Sequence, residues 1–237
     1  MTPPDLDPIL SLIIAAQAIK GSTVVVGVTG GVAVGKSTFS NSLATLLSED
    51  TGLDVAAITS DGFLYPNAVL ADQGLTDRKG FPESYDVAAI AAFLAEVRAG
   101  KPSSVPVYDH HIYDIIDDHI EVATLDVLIF EGVNALQFHD EFDVSIYLDA
   151  DEPIMREWFI QRTIKFRDAA RIDYSPFFDP WINVPDELFL EMANGAWDLV
   201  NLPNLVDNIE PNRPLAHAVI EWEADHSIRS INIRESS

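Results

Sequence analysis

The chain is 237 residues long with 48% hydrophobic side chains, enough for one large α/β domain and unlike a disordered composition. Its 38 acidic and 14 basic residues give a formal net charge of −24, which argues against a nucleic-acid backbone as the main partner. It has no cysteine, so disulfides and thiolate metal sites are excluded, and a reducing, cytoplasmic setting is expected.

In chain order, the apolar run 9–16 follows Asp5 and Asp7 rather than basic residues. A bilayer span needs about 20 apolar residues, so this run predicts an amphipathic helix, with neither signal peptide nor membrane partner. Residues 23–29 hold the β-branched run Val24-Val25-Val26 and predict a central strand covered on both faces. A glycine loop follows, then a helix over 37–48 with Phe39, Leu43, Leu46 and Leu47 on one side. Residues 54–60 predict a second strand ending at Asp61, and 86–99 a helix closed by Gly100. A third strand over 126–130 ends at Glu131, and a fourth over 144–148 ends at Asp149. A long helical pattern over 152–170 carries Arg156, Arg162, Lys165 and Arg167, with Arg171 just beyond. Pro176, Pro180 and Pro185 interrupt the chain before another helix over 185–200, and the tail 216–234 alternates like edge strands. Strands alternating with helices predict a mostly parallel sheet flanked by helices, with ligands at the carboxyl ends of the strands.

Gly30, Asp61, Glu131 and Asp149 all fall at such ends. The run Gly30-Gly31-Val32-Ala33-Val34-Gly35-Lys36-Ser37, followed by Thr38, fits the phosphate-loop pattern. Its glycines let backbone N–H groups approach phosphate oxygens, Lys36 reaches the outer phosphates, and the Ser37 hydroxyl suits Mg²⁺. The following helix adds its N-terminal partial charge. These residues predict ATP and Mg²⁺ as ligands, in one domain over 1–237 with a helical lid at about 152–185. The corresponding fold is that of the P-loop nucleoside triphosphate hydrolases.

Asp61 could accept a proton from an attacking hydroxyl or hold Mg²⁺ through water, although an Asp-Gly turn is also common without chemistry. Glu131 reads as a metal-side carboxylate or as a cap. Tyr108, His110, His111 and Tyr113 lie within six positions and offer aromatic faces and donors to a small polar substrate. Arg162, Lys165, Arg167 and Arg171 could stabilise a transferring phosphoryl group, or simply pair with Glu157 and Asp168.

At these motifs the sequence resembles the prokaryotic type I pantothenate kinases, relatives of uridine kinases and phosphoribulokinases. The likeness is carried by 31–38, by Asp61-Gly62-Phe63-Leu64-Tyr65-Pro66-Asn67, and by Lys79-Gly80-Phe81-Pro82-Glu83-Ser84-Tyr85-Asp86. It continues through Glu131-Gly132-Val133-Asn134, Trp158, Arg162, Asn204-Leu205 and Asn208-Ile209. The resemblance implies transfer of the ATP γ-phosphoryl group to pantothenate. Lys36 and Ser37 would then serve phosphates and Mg²⁺, Asp61 the acceptor hydroxyl, and Arg162 the transferring group. Lys79, Tyr108, His110, Tyr113 and Asn208 would lie on the substrate side, and a homodimer is implied. Three positions depart from the family: Phe159 stands where a substrate-side tyrosine is usual, Thr163 where an aromatic is usual one turn later, and Asn41 where an arginine serves feedback inhibition by coenzyme A. The lost hydroxyl at Phe159 opens a second expectation, a kinase of another small hydroxyl metabolite such as a nucleoside or a sugar acid.

Overall fold

Strands that are apolar on every residue need cover on both faces, and this requirement organises the molecule. A computed structural model describes residues 6–234, so the outermost ends of the predicted domain lie outside the described residues. In chain order the strands are β1 (Val24–Gly30), β2 (Val55–Thr59), β3 (Ser103–Asp109), β4 (Asp114–Val122), β5 (Val127–Glu131), β6 (Val144–Asp149), β7 (Ala218–Trp222) and β8 (Ile228–Ile233). Six of them form one sheet in the order β2-β5-β1-β6-β7-β8, parallel except for β8. β1 and β5 are buried along their whole length, as their unbroken apolar runs require.

Helices α1 (Asp7–Lys20), α2 (Lys36–Thr51), α3 (Asn67–Asp72), α4 (Val87–Arg98), α5 (Glu152–Ala170) and α6 (Asp186–Ala196) complete the regular structure. α1 buries Ile9, Leu10 and Ile13 in the core and ends at Gly21, whose φ of 60° supplies the left-handed cap. Each such side chain contributes about 1.5–3 kcal/mol on burial, so Ile13→Asp would detach the helix. Among the described residues no helix is long and apolar enough to cross a membrane.

Three parts of the chain differ from the sequence expectation. The tail does not form two edge strands: β7 lies between β6 and β8, so of the tail's two strands β8 alone is an edge. β3 and β4 form a separate antiparallel hairpin outside the main sheet. Exposed acids along β4, such as Asp117 and Asp118, blur its alternation and hide it from a periodicity argument. The expected 185–200 helix is also longer, because α6 continues through two wide π turns at Trp197–Asn201 and Leu205–Ile209.

Candidate active site

The phosphate loop joins β1 to α2. Gly30 has φ 150°, and a Cβ there would meet the Leu148 carbonyl oxygen at 2.3 Å. Gly35 has φ 92°, and Ala33 accepts φ 67°, a left-handed conformation that costs about 1–3 kcal/mol in a non-glycine residue. The loop curls around the buried Lys36, whose Nζ donates to the carbonyls of Gly30 (3.1 Å) and Gly31 (2.9 Å). Burial lowers the pKa of Lys36 to about 8, with Glu131 opposing the shift. The first turn of α2 has neither an acidic residue nor a side-chain cap, which leaves its N–H groups available to an anion.

Glu131 is the last residue of β5 and pairs in register with Val28 and Thr59. It is buried, and its Oε1 accepts a hydrogen bond from Ser37 Oγ at 2.7 Å. Burial raises its pKa, opposed by Lys36. Asp61 stands beyond the neighbouring β2, in a 3₁₀ turn over Ser60–Phe63 that Thr59 opens by accepting from the Asp61 N–H at 3.3 Å.

On the other side of Asp61 the hairpin presents its turn. Tyr108 meets His110 and Tyr113 edge-to-face, at 5.0 and 6.0 Å between ring centroids. Lys79 enters between them: its Nζ lies 4.9 Å above Tyr108 and 4.7 Å above Tyr113, and donates to Asn67 Oδ1 (2.6 Å) and the Tyr113 carbonyl (2.5 Å). Burial lowers the pKa of Lys36, Lys79 and Arg162 and raises that of Tyr85, Tyr108 and Tyr113. In all six cases the negative charge of Asp61 is a further influence, favouring the protonated form. Asp61 thus lies within electrostatic reach of both the phosphate-loop lysine and the hairpin aromatics.

A cavity of about 470 Å³ opens over the loop, lined by Lys36, Ser37 and Thr38 on one wall and by Trp158, Arg162 and Lys165 on the other. His226 also lines it, stacked on Trp158 with 4.2 Å between ring centroids. Trp158 Nε1 donates to the Ala224 carbonyl at 3.2 Å, and Arg229 ties the β7–β8 turn to Asp151 at 3.1 Å, so this wall is built rather than incidental. His226 lies far from every motif in sequence, and no spacing rule could have found it.

The cationic helix divides into two functions. Arg162 and Lys165 line the cavity. Arg167 turns away, is buried over Phe189 at 4.2 Å and pairs with Asp168 and Asp186, while Arg171 also pairs with Asp168. Phe159 packs between Trp197 (5.7 Å) and the Arg162 guanidinium (6.0 Å). Asn208 reaches the site indirectly, donating to Asn204 Oδ1 at 3.1 Å. Beyond α5, Phe177 stacks on Tyr113 at 4.0 Å and Ser175 Oγ donates to the His111 carbonyl at 2.6 Å, which docks the predicted lid segment onto the hairpin.

A phosphate loop at the end of a central parallel strand, a buried carboxylate on its serine and a second carboxylate facing an aromatic basin define a P-loop kinase. The chain belongs to the Phosphoribulokinase / Uridine kinase family, whose sequence profile matches residues 25–171. It is 43% identical over 226 residues to a pantothenate kinase of Rhodopseudomonas palustris (strain BisA53), covering 89% of this chain and 71% of that protein. It is 39% identical over 227 residues to a pantothenate kinase of Sinorhizobium medicae (strain WSM419), covering 89% and 69% respectively. The fold matches that of D-glycerate 3-kinase from Cryptococcus neoformans with a TM-score of 0.73 at 14% identity, covering 97% of this chain and 99% of that one.

Proposed function

We propose that this protein transfers the γ-phosphoryl group of ATP to the hydroxyl of pantothenate, the step that commits pantothenate to coenzyme A synthesis. The observation that carries the reading is the position of Asp61, coupled on one side to Lys36 and on the other to Lys79, Tyr108 and Tyr113. A carboxylate so placed accepts the proton of the acceptor hydroxyl as its oxygen bonds to the γ-phosphorus. The phosphorus–oxygen bond to ADP breaks in line, and the electron pair leaves with ADP. Lys36 and Arg162 approach the transferring group from opposite walls, where fixed cations stabilise spreading negative charge without reorganisation. Trp158 and His226 offer aromatic surface to the nucleotide base.

The Ser37 hydroxyl and the Glu131 carboxylate, 2.7 Å apart at the loop, are hard oxygen donors that fit Mg²⁺, an ion commonly held by few protein oxygens together with substrate phosphates. When bound, the ion neutralises phosphate charge. Tyr108, Tyr113 and Lys79 orient the acceptor, and the Phe177 segment across Tyr113 limits access of water to it. Phe159 supplies no hydroxyl here, so discrimination among acceptors falls to the hairpin.

The test measures ADP release with pantothenate and, in parallel, with uridine and a sugar acid. Strong stimulation by pantothenate is expected. A higher kcat/KM with another acceptor would reassign the substrate, and an ATP-binding protein that ignores pantothenate would refute the proposal.

A further inference from the structure

The loop that carries Lys79 has little packing of its own. Residues 71–77 are mostly exposed, and Gly80 adopts φ 89°. The peptide planes on either side of Gly80 are nevertheless both held. The Gly80 N–H donates to Ser84 Oγ at 2.9 Å, a local contact. The Gly80 carbonyl is gripped from afar: Asn134 Nδ2 donates to it at 2.7 Å and Asn204 Nδ2 at 2.8 Å.

Both asparagines are 3% exposed. Asn134 lies three residues beyond Glu131 in the chain, and Asn204 lies between the two π turns. The Asn204 oxygen in turn accepts from Asn208. One carbonyl has two lone pairs, and both are used by amides from different parts of the chain. Burying two primary amides is costly unless their bonds are made, and Asn134 Oδ1 has no hydrogen-bond partner among the described residues. A purely packing role would be served as well by apolar side chains. The arrangement instead fixes the residue after Lys79 relative to the segment leaving Glu131.

We propose that Asn134 and Asn204 are positioning residues for acceptor phosphorylation: through the Gly80 carbonyl they hold the Lys79 ammonium against the Tyr108–Tyr113 basin beside Asp61. Neither side chain lines the nucleotide cavity. The inference rests on the phosphotransfer reading above.

The experiment is a double-mutant cycle on the full chain with Asn204→Asp, which keeps the side-chain shape and replaces the donor facing the carbonyl with an acceptor, and Lys79→Ala. Pantothenate and ATP kinetics are measured with a thermal melt for each variant. In the Lys79 background of the native chain, Asn204→Asp should lower kcat/KM for pantothenate by about tenfold to a hundredfold, the cost of a small misplacement at a reacting centre. The KM for ATP should stay within about twofold, and in the Lys79→Ala background the same substitution should change kcat/KM by less than about twofold. An equal loss in both backgrounds, or a parallel loss in ATP affinity, overturns the proposal. If Asn204→Asp does not fold, Asn134→Asp removes the other donor and decides by the same criteria. Wild-type protein serves as the control for the reaction itself. If it prefers another acceptor, the cycle is run with that acceptor, and if it phosphorylates none, this proposal fails with the function it rests on.

Discussion

The two ends of the central sheet handle charge in opposite ways. At the amino ends of the strands, charges are half-exposed and paired: Asp143 meets Lys20 at 2.6 Å and Arg98 at 3.6 Å, and accepts the Val25 N–H at 2.8 Å. Asp126 likewise accepts the Asp54 N–H at 2.9 Å. At the carboxyl ends, Lys36 and Glu131 are buried and pushed toward neutrality, and the loop between them holds left-handed backbone. One end spends its charges on fastening strand starts. The other holds a buried lysine whose charge a phosphate group would stabilise. The same sheet thus separates stability from chemistry, and substitutions at the two ends should have separable consequences.

Lys36→Ala should have the largest effect, lowering ATP-dependent turnover by about a thousandfold, as loss of a fixed charge-stabilising group does. Circular dichroism should show a folded protein, and unfolding would place Lys36 among the structural charges instead. Asp61→Asn should lower kcat by about 10²–10⁴, the range of general base catalysis, with little change in ATP affinity measured by nucleotide titration. An unchanged kcat would remove Asp61 from the proton transfer.

Asp143→Ala tests the other end. It orphans the Val25 N–H and breaks two ion pairs, at an expected cost of about 2 kcal/mol. For a chain of this size that lowers Tm by roughly 4–8 °C, while kcat in the folded protein should not move. A kcat loss would break the proposed separation.

The smallest effect is a pH dependence. His217 precedes β7 and accepts the Ser145 N–H on Nδ1 at 3.0 Å, so the neutral ring is the one that fits. Burial lowers its pKa below 6.5, and Arg234 adds to the shift. The unfolded chain therefore binds more protons in the window below pH 6.5. Stability contributed by His217 is full above pH 6.5 and is lost as pH falls through the lower, folded value. Denaturant unfolding of wild type and His217→Gln across that window should show the steeper slope in wild type.

Much of the carboxyl end was legible because its residues sit next to strong local signals. The phosphate loop announces itself by spacing, and Asp61 and Glu131 each follow an apolar strand. The same logic recovered the extent of α5, since its helical period is long and uninterrupted. The hairpin was not legible as a hairpin, because acids on its open face disrupt the alternation that marks a strand. The cationic patch was visible as composition, but packing decided its division: Arg167 serves α6 and Phe189, whereas Arg162 faces the cavity. His226 and the Asn134–Asn204 grip are made by residues distant in sequence, where only tertiary contact creates the meaning.

The π turns that continue α6 have one more consequence. Leu202 donates to the Trp197 carbonyl and Glu210 to that of Leu205, so each turn spans one residue more than an α-helical turn. A helix rotates about 100° per residue, and these additions decide which side of the rod faces the core. Trp197, Leu205 and Ile209 are buried while Asn204 reaches the Gly80 carbonyl. Deleting Leu202 or Pro203, between the two turns, would swing Asn204 out of reach while leaving its own side chain intact. The number of residues in this stretch is therefore as strictly fixed as the identity of any residue in the site.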